Sequence, residues 1–176
     1  MKYRIEAFPH NDLLNLAFYN LENINQKVEG SIEDGLGLDC LNCIVSLAFS
    51  VEAIVNYIGD REIDGWEEFE PYFKKIKKVS NVGEFKFDES TEPYSTLVQL
   101  KNLRDDIAHG KPMIKEVELE VGTPEELKRE LAQPWDIYMK PEFVNHAFEM
   151  VKLYEHQITE AYGIEYADTG TKAYSL

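Results

Sequence analysis

Arg104, Asp105 and His109 are the residues of this chain best suited to hold an anion and move a proton. They fall within Leu103-Arg104-Asp105-Asp106-Ile107-Ala108-His109-Gly110. A guanidinium presents a rigid fork of donors to phosphate or carboxylate oxygens. An imidazole, with an ordinary pKa of about 6.5, takes and gives a proton near neutral pH. Asp105 precedes His109 by four residues, so on a helix its carboxylate can neighbour the ring, orient it and favour its charged form. Lys101, Asn102 and Lys111 flank the three as candidate substrate-binding residues, the two lysines adding local positive charge. Proton transfer and charge stabilisation of this kind need no metal, and no metal or cofactor is expected.

Spacing limits what these groups can do together. Arg104 and His109 stand about 140° apart around an ideal helix, so they do not lie side by side. Either the helix end loosens near Gly110 and the long arginine bends round, or a second copy of the chain supplies the missing partner. A plainer account also stands: Arg104 pairs with an acidic residue such as Glu52, and His109 caps a helix C-terminus, where a cation is favoured.

Four strong stretches of helical periodicity position the motif. The first runs from about Asn11 to Val28, with Leu14, Ala17, Phe18, Leu21, Ile24 and Val28 on one stripe and Asn11 or Asp12 as cap. The second, about Leu38 to Ile58, is apolar nearly all round and reads as the central helix. A shorter amphipathic piece covers Trp66 to Val79. The motif ends the third strong stretch, Tyr94 to His109, whose core stripe is Leu97, Leu100, Leu103 and Ile107 and whose stop is Gly110 with Pro112. The last, Pro141 to Tyr162, turns Val144, Ala147, Phe148, Val151, Tyr154, Ile158 and Ala161 inward. Between these two lies an insertion. Glu116–Val121 and Glu84–Phe87 alternate with period two and suggest a small ribbon. Thr123, Pro124 and Glu126 read as a capped start of a minor helix ending before Pro134. The tail after Gly163 is expected to fray.

The segment Leu97 to Pro112, with Arg104, the polar Asp105 and then His109 at a helix end, resembles the signature of the HEPN family (higher eukaryotes and prokaryotes nucleotide-binding). The order of elements is also similar: a helical hairpin, an apolar second helix, the motif helix and a long closing helix. The resemblance implies an all-α, mainly helical, up-and-down bundle of four to five main helices, with residues 1–176 forming a single domain. The acidic pair Asp105-Asp106 and the insertion from Lys115 to Lys140 depart from the usual family pattern.

Many HEPN proteins are metal-independent endoribonucleases, and others keep the fold only as binding or assembly modules. RNA brings its own nucleophile, the 2′-hydroxyl, so a protein has only to move protons and stabilise charge on the phosphorane. The resemblance thus implies RNA as substrate, with Arg104, His109 and Asp105 as catalytic residues. It also implies a homodimer in which two motif helices meet, and the setting of a toxin or antiviral defence effector restrained by an antitoxin or other protein partner.

Composition frames these expectations. The chain has 176 residues, 44% of them hydrophobic and 12% aromatic, which suits a globular fold with a proper core. Two cysteines and no evident signal or membrane segment lead us to expect a cytoplasmic protein without membrane partners. The net charge of −15 argues against extended duplex nucleic acid and anionic membranes as partners, so any RNA must meet a local basic patch. Cys40 and Cys43 have zinc-like spacing but sit in an apolar stretch and read as buried thiols. His146 and His156 read as surface or interface residues, and His10 as a loop residue. Lys74, Lys75, Lys77 and Lys78 read as a solvated helix face, with RNA backbone contact as the sharper alternative. Trp66, Tyr72 and Phe73 are expected against the core. No Gly-rich phosphate loop or Gly-x-Ser-x-Gly elbow supports a nucleotide or serine hydrolase.

Overall fold

The structure, a computed structural model, describes residues 1–81, 85–112, 114, 116 and 123–175. Its helices are α1 (Pro9–Glu29), α2 (Leu36–Glu62), α3 (Tyr72–Ser80), α4 (Tyr94–Ala108), α5 (Pro124–Glu130) and α6 (Pro141–Ala161), followed by a 3₁₀ turn at Tyr166–Thr169. Strands β1 (Tyr3–Glu6) and β2 (Lys172–Ser175) form an antiparallel ribbon. The protein is a mainly helical, all-α bundle, as the periodicity predicts.

The bundle is built around α2. Its apolar residues come at nearly every helical angle, so no single neighbour can cover them. Helix α1 packs along it as the other arm of a hairpin, and α3, α4 and α6 close the remaining sides. Cys40, Cys43, Leu47, Val51, Ile54 and Ile58 are buried as a result. Helix α2 is long and apolar enough to cross a membrane by composition, but most of its apolar residues meet the bundle, Leu38 and Phe49 remaining exposed. From α4 come Leu97, Leu100 and Leu103, and from α6 Val144, Ala147, Val151, Tyr154 and Ile158, all buried. At about 1.5–3 kcal/mol for each large apolar side chain fully removed from water, this shared interior holds α4 against α2.

Several local signals act as read. Gly110 follows the end of α4, where a Cβ would come within 2.7 Å of the Asp106 carbonyl oxygen, so glycine fits a turn that a larger residue would have to shift. At α5 the Thr123 hydroxyl accepts from the Glu126 amide at 3.2 Å, and the Glu126 carboxylate accepts from the Thr123 amide at 2.9 Å, a complete capping box.

Other expectations are corrected. Helix α1 starts earlier, with Phe8 as N-cap and Pro9 in the first turn, because proline's missing N–H costs nothing there. Asn11 does not cap; its side-chain amide donates to the Thr169 carbonyl and ties the C-terminal segment down. His10 is not a loop residue but lies fully buried inside α1. Phe18 and Val28 stay 45% and 49% exposed, so the α1 stripe is narrower than its apolar pattern. Helix α3 begins only at Tyr72, since Pro71 disfavours helical geometry in the residue before it. The tail after Gly163, where fraying is expected, contains β2, which pairs Tyr3 with Ser175 and Glu6 with Lys172. The suggested ribbon between Glu84–Phe87 and Glu116–Val121 falls largely outside the described residues; Phe85, Lys86 and Phe87 carry no strand.

Candidate functional site

Arg104 lies on the side of α4 that faces α2 and α3, at the edge of the leucine stripe. Its Nη1 donates to Glu52 Oε2 on α2 at 2.6 Å. Its Nε and Nη2 both donate to Asp105 Oδ1, at 3.1 and 2.9 Å. The guanidinium carbon sits 5.5 Å from the ring centroids of both Phe49 and Tyr72, so aromatic faces hold its plane as well.

The two carboxylates extend this contact into a chain of charges. Glu52 Oε1 accepts from Lys75 Nζ at 2.8 Å. Lys75 is 1% exposed, and its remaining donors reach Asn56 Oδ1 at 3.0 Å and the Glu68 carbonyl at 2.9 Å. At the other end Asp105 Oδ2 pairs with Lys101 Nζ at 2.7 Å, and that ammonium lies over the Phe73 ring. The order Lys75, Glu52, Arg104, Asp105, Lys101 alternates in sign along its whole length. Burial by itself would raise the Glu52 carboxyl, but hydrogen bonds from Lys75 and Arg104 outweigh it and hold the group below the ordinary glutamate value. Asp105 behaves alike: burial pushes it up, and Lys101 and Arg104 bring it down further. Both acids are therefore ionised at neutral pH, and three cations face two anions.

His109 occupies a different setting. It is the C-cap of α4, its backbone N–H donates to the Asp105 carbonyl at 2.8 Å, and its side chain is exposed. Among the described residues nothing hydrogen-bonds its ring. The contact from Asp105 to the imidazole that the four-residue spacing allows is not made, because two cations compete for the same carboxylate and win. Asn102 and Lys111 are likewise exposed. The structure thus joins Arg104, Asp105 and Lys101 and leaves Asn102, His109 and Lys111 facing solvent.

Helix α4 stays regular through Ala108, so its end does not unwind to bring the two motif side chains together within one chain. The pairing with Glu52 and the capping position of His109 are those of the plainer account. The guanidinium, held by two carboxylates, is fixed in position, and the His109 side chain stands exposed at the helix end.

Sequence reasoning placed Lys75 on a solvated face and Tyr72 against the core without joining either to Arg104, and it gave Asn56 and Phe49 no part in the site; Lys75 is instead buried. One signal was present. Tyr72, Lys75, Ile76 and Val79 share one face of α3, and a lysine on an apolar face calls for a buried anion. Lys74 and Lys78 do face outward, both paired with Glu70 at 2.6 Å, so the run of lysines is solvated except at Lys75.

The weaker candidates resolve simply. Cys40 and Cys43 are free and buried, and burial pushes their thiols up to about 11 and about 12, so neither is a thiolate near neutrality. No group of three potential metal ligands occurs among the described residues. His146 Nε2 bridges Glu92 at 3.2 Å and Thr96 at 3.3 Å, linking α6 to the start of α4. Comparison with family models, with curated proteins and with solved structures finds no match to this chain.

Proposed function

We propose that this protein is a metal-independent endoribonuclease of the HEPN type, acting in the cytoplasm as a homodimer whose motif helices meet, in the manner of a toxin or antiviral defence effector. The observation that carries the reading is the division of labour along α4. Arg104 is immobilised by Glu52 and Asp105, while five residues on the same helix ends in an exposed His109. In this reading the 2′-hydroxyl of RNA attacks its neighbouring phosphorus. The His109 imidazole takes the hydroxyl proton or protonates the departing 5′-oxygen. The Arg104 guanidinium of a facing copy stabilises charge on the non-bridging oxygens. The products are a 2′,3′-cyclic phosphate and a 5′-hydroxyl.

Asp105 then serves Arg104 rather than His109, as a positioning residue. Lys101 and Lys111 supply positive charge around a phosphate in an otherwise acidic chain, and Asn102 offers an amide to the same surface. The test is incubation with RNA in EDTA, scored for cyclic-phosphate ends. Cleavage should vanish in His109→Ala, and undiminished cleavage by that variant refutes the assignment.

One observation favours a second reading, a catalytically silent HEPN module. All the guanidinium nitrogens of Arg104 already donate to carboxylates of its own chain, so a phosphate must compete with them. That reading predicts no cleavage at high protein concentration and a stoichiometric complex with a protein or nucleotide partner.

A further inference from the structure

A second surface lies between the terminal ribbon, the C-terminal end of α2 and the loop that leads into α3. It holds a cleft of about 1010 Å³ whose walls include Phe8, His10, Tyr57, Asp60, Trp66 and Glu68. Asp60, Trp66 and Glu68 also line an adjoining hollow of about 710 Å³ that continues past Glu67 and Phe69.

Its walls contain polar atoms with nothing to bind. His10 is 0% exposed, and among the described residues neither of its ring nitrogens has a hydrogen-bond partner. The indole N–H of Trp66 is likewise buried without a partner among the described residues. Native interiors pair nearly all such atoms, so three in the wall of one cleft mark a place for a ligand. His10 stacks on Tyr57, with ring centroids 5.1 Å apart, which fixes its plane. Trp66 is seated over Gly59, where even a methyl group would come within 2.3 Å of the indole.

The surplus charge is negative: Arg4, Arg61, Lys74 and Lys172 stand against Glu6, Asp60, Glu67, Glu68, Glu70 and Asp168 in the two linings. Six of the eleven residues from 60 to 70 are acidic. Glu70 is neutralised by Lys74 and Lys78, and Glu62 by Arg61. Asp60, Asp64, Glu67 and Glu68 make no ion pair among the described residues. The three cations that line the cleft already have acids of their own: Arg4 pairs with Glu6 at 2.9 Å, Arg61 with Glu62 at 2.8 Å and Lys172 with Asp168 at 3.8 Å. Beside the free carboxylates Phe69 stands 93% exposed. Aromatic faces next to unpaired carboxylates suit an ammonium or guanidinium on an alkyl stem and repel a phosphate.

We propose that this cleft docks a lysine- or arginine-rich segment of a partner polypeptide, a backbone carbonyl accepting from the Trp66 indole N–H, its apolar residues covering Phe69 and its cations meeting Asp60, Glu67 and Glu68. The proposal stands independently of the ribonuclease reading.

A fluorescein-labelled peptide with the repeat Lys-Leu-Leu-Lys serves as probe, read by anisotropy at physiological salt. Asp60→Asn combined with Glu68→Gln should weaken binding about tenfold or more. The pair Glu22→Gln with Glu29→Gln, exposed on α1 and equal in charge change, should alter it by less than about twofold. In ¹H–¹⁵N spectra of the unaltered protein the peptide should shift the indole signal of Trp66 and leave that of Trp135 in place. Equal weakening by both pairs, no binding, an unmoved Trp66 signal, or equal binding by spermine at matched positive charge would each overturn the proposal.

Discussion

Replacing Glu52 by Gln tests the charge network that fixes Arg104. The substitution keeps shape and removes the anion shared by Lys75 and Arg104. Breaking a fully buried ion pair costs about 3–5 kcal/mol, because one charge is left dry and uncompensated. Here Lys75 is 1% exposed but keeps Asn56 and the Glu68 carbonyl, and the Glu52 side chain retains 31% exposure. Those compensations bring the expected loss to about 2 kcal/mol, or roughly 4–8 °C in Tm for a domain of this size. Lys75→Met should cost less, since Glu52 still has Arg104. The double variant should cost little more than Glu52→Gln alone, a coupling of about 1–2 kcal/mol in a double-mutant cycle measured by urea unfolding. The pH dependence has a definite sign. Glu52 and Asp105 both titrate below their ordinary values when folded, so their stabilisation is present above those values and is lost as pH falls through them. Unfolding free energy should therefore drop steeply below about pH 4.5 and less steeply in Glu52→Gln. A loss under about 0.5 kcal/mol, with no coupling to Lys75, would mean that water reaches the network as it does a surface pair, and would refute the reasoning.

Three further outcomes are expected. Gly59→Ala should destabilise by about 1–3 kcal/mol and alter Trp66 fluorescence, since the added methyl meets the indole at 2.3 Å; an unchanged melt would contradict that packing. His10→Phe should flatten the fall of stability below about pH 6.5: burial holds the native imidazole below its ordinary value, so the unfolded chain binds a proton first and stability declines as pH drops through that range. Cys40 and Cys43 should resist a thiol reagent in the native state at pH 8 and react fully once urea is added, because burial raises both thiols; rapid native labelling would show the α1–α2 seam opening.

The main helices were legible because their cores repeat at helical spacing over many turns. The all-round apolar pattern of α2 marked it as central, and the Thr123 capping box and the Gly110 stop acted locally, where sequence speaks most directly. The ribbon was not legible. Tyr3–Glu6 and Lys172–Ser175 each span four residues, and neither can signal a partner more than a hundred and sixty residues away. At the site, Arg104 and His109 stood out by type and spacing, and Glu52 by its acidity and place on α2. Lys75 was hidden among neighbouring lysines, because only the fold decides which of them turns inward. The orientation of Asp105 was equally a tertiary matter: the four-residue spacing offered it the imidazole, and the nearby guanidinium and ammonium took it instead.

Lys75 is a rivet through three parts of the molecule. One ammonium grips the backbone of the loop before α3, the side chain of Asn56 and the carboxylate that holds Arg104. Pulling that loop outward strips an acceptor from a cation sealed away from water, and the cation must then turn and slacken its hold on Glu52. A force applied at Glu68 therefore arrives at the guanidinium with no contact between the two.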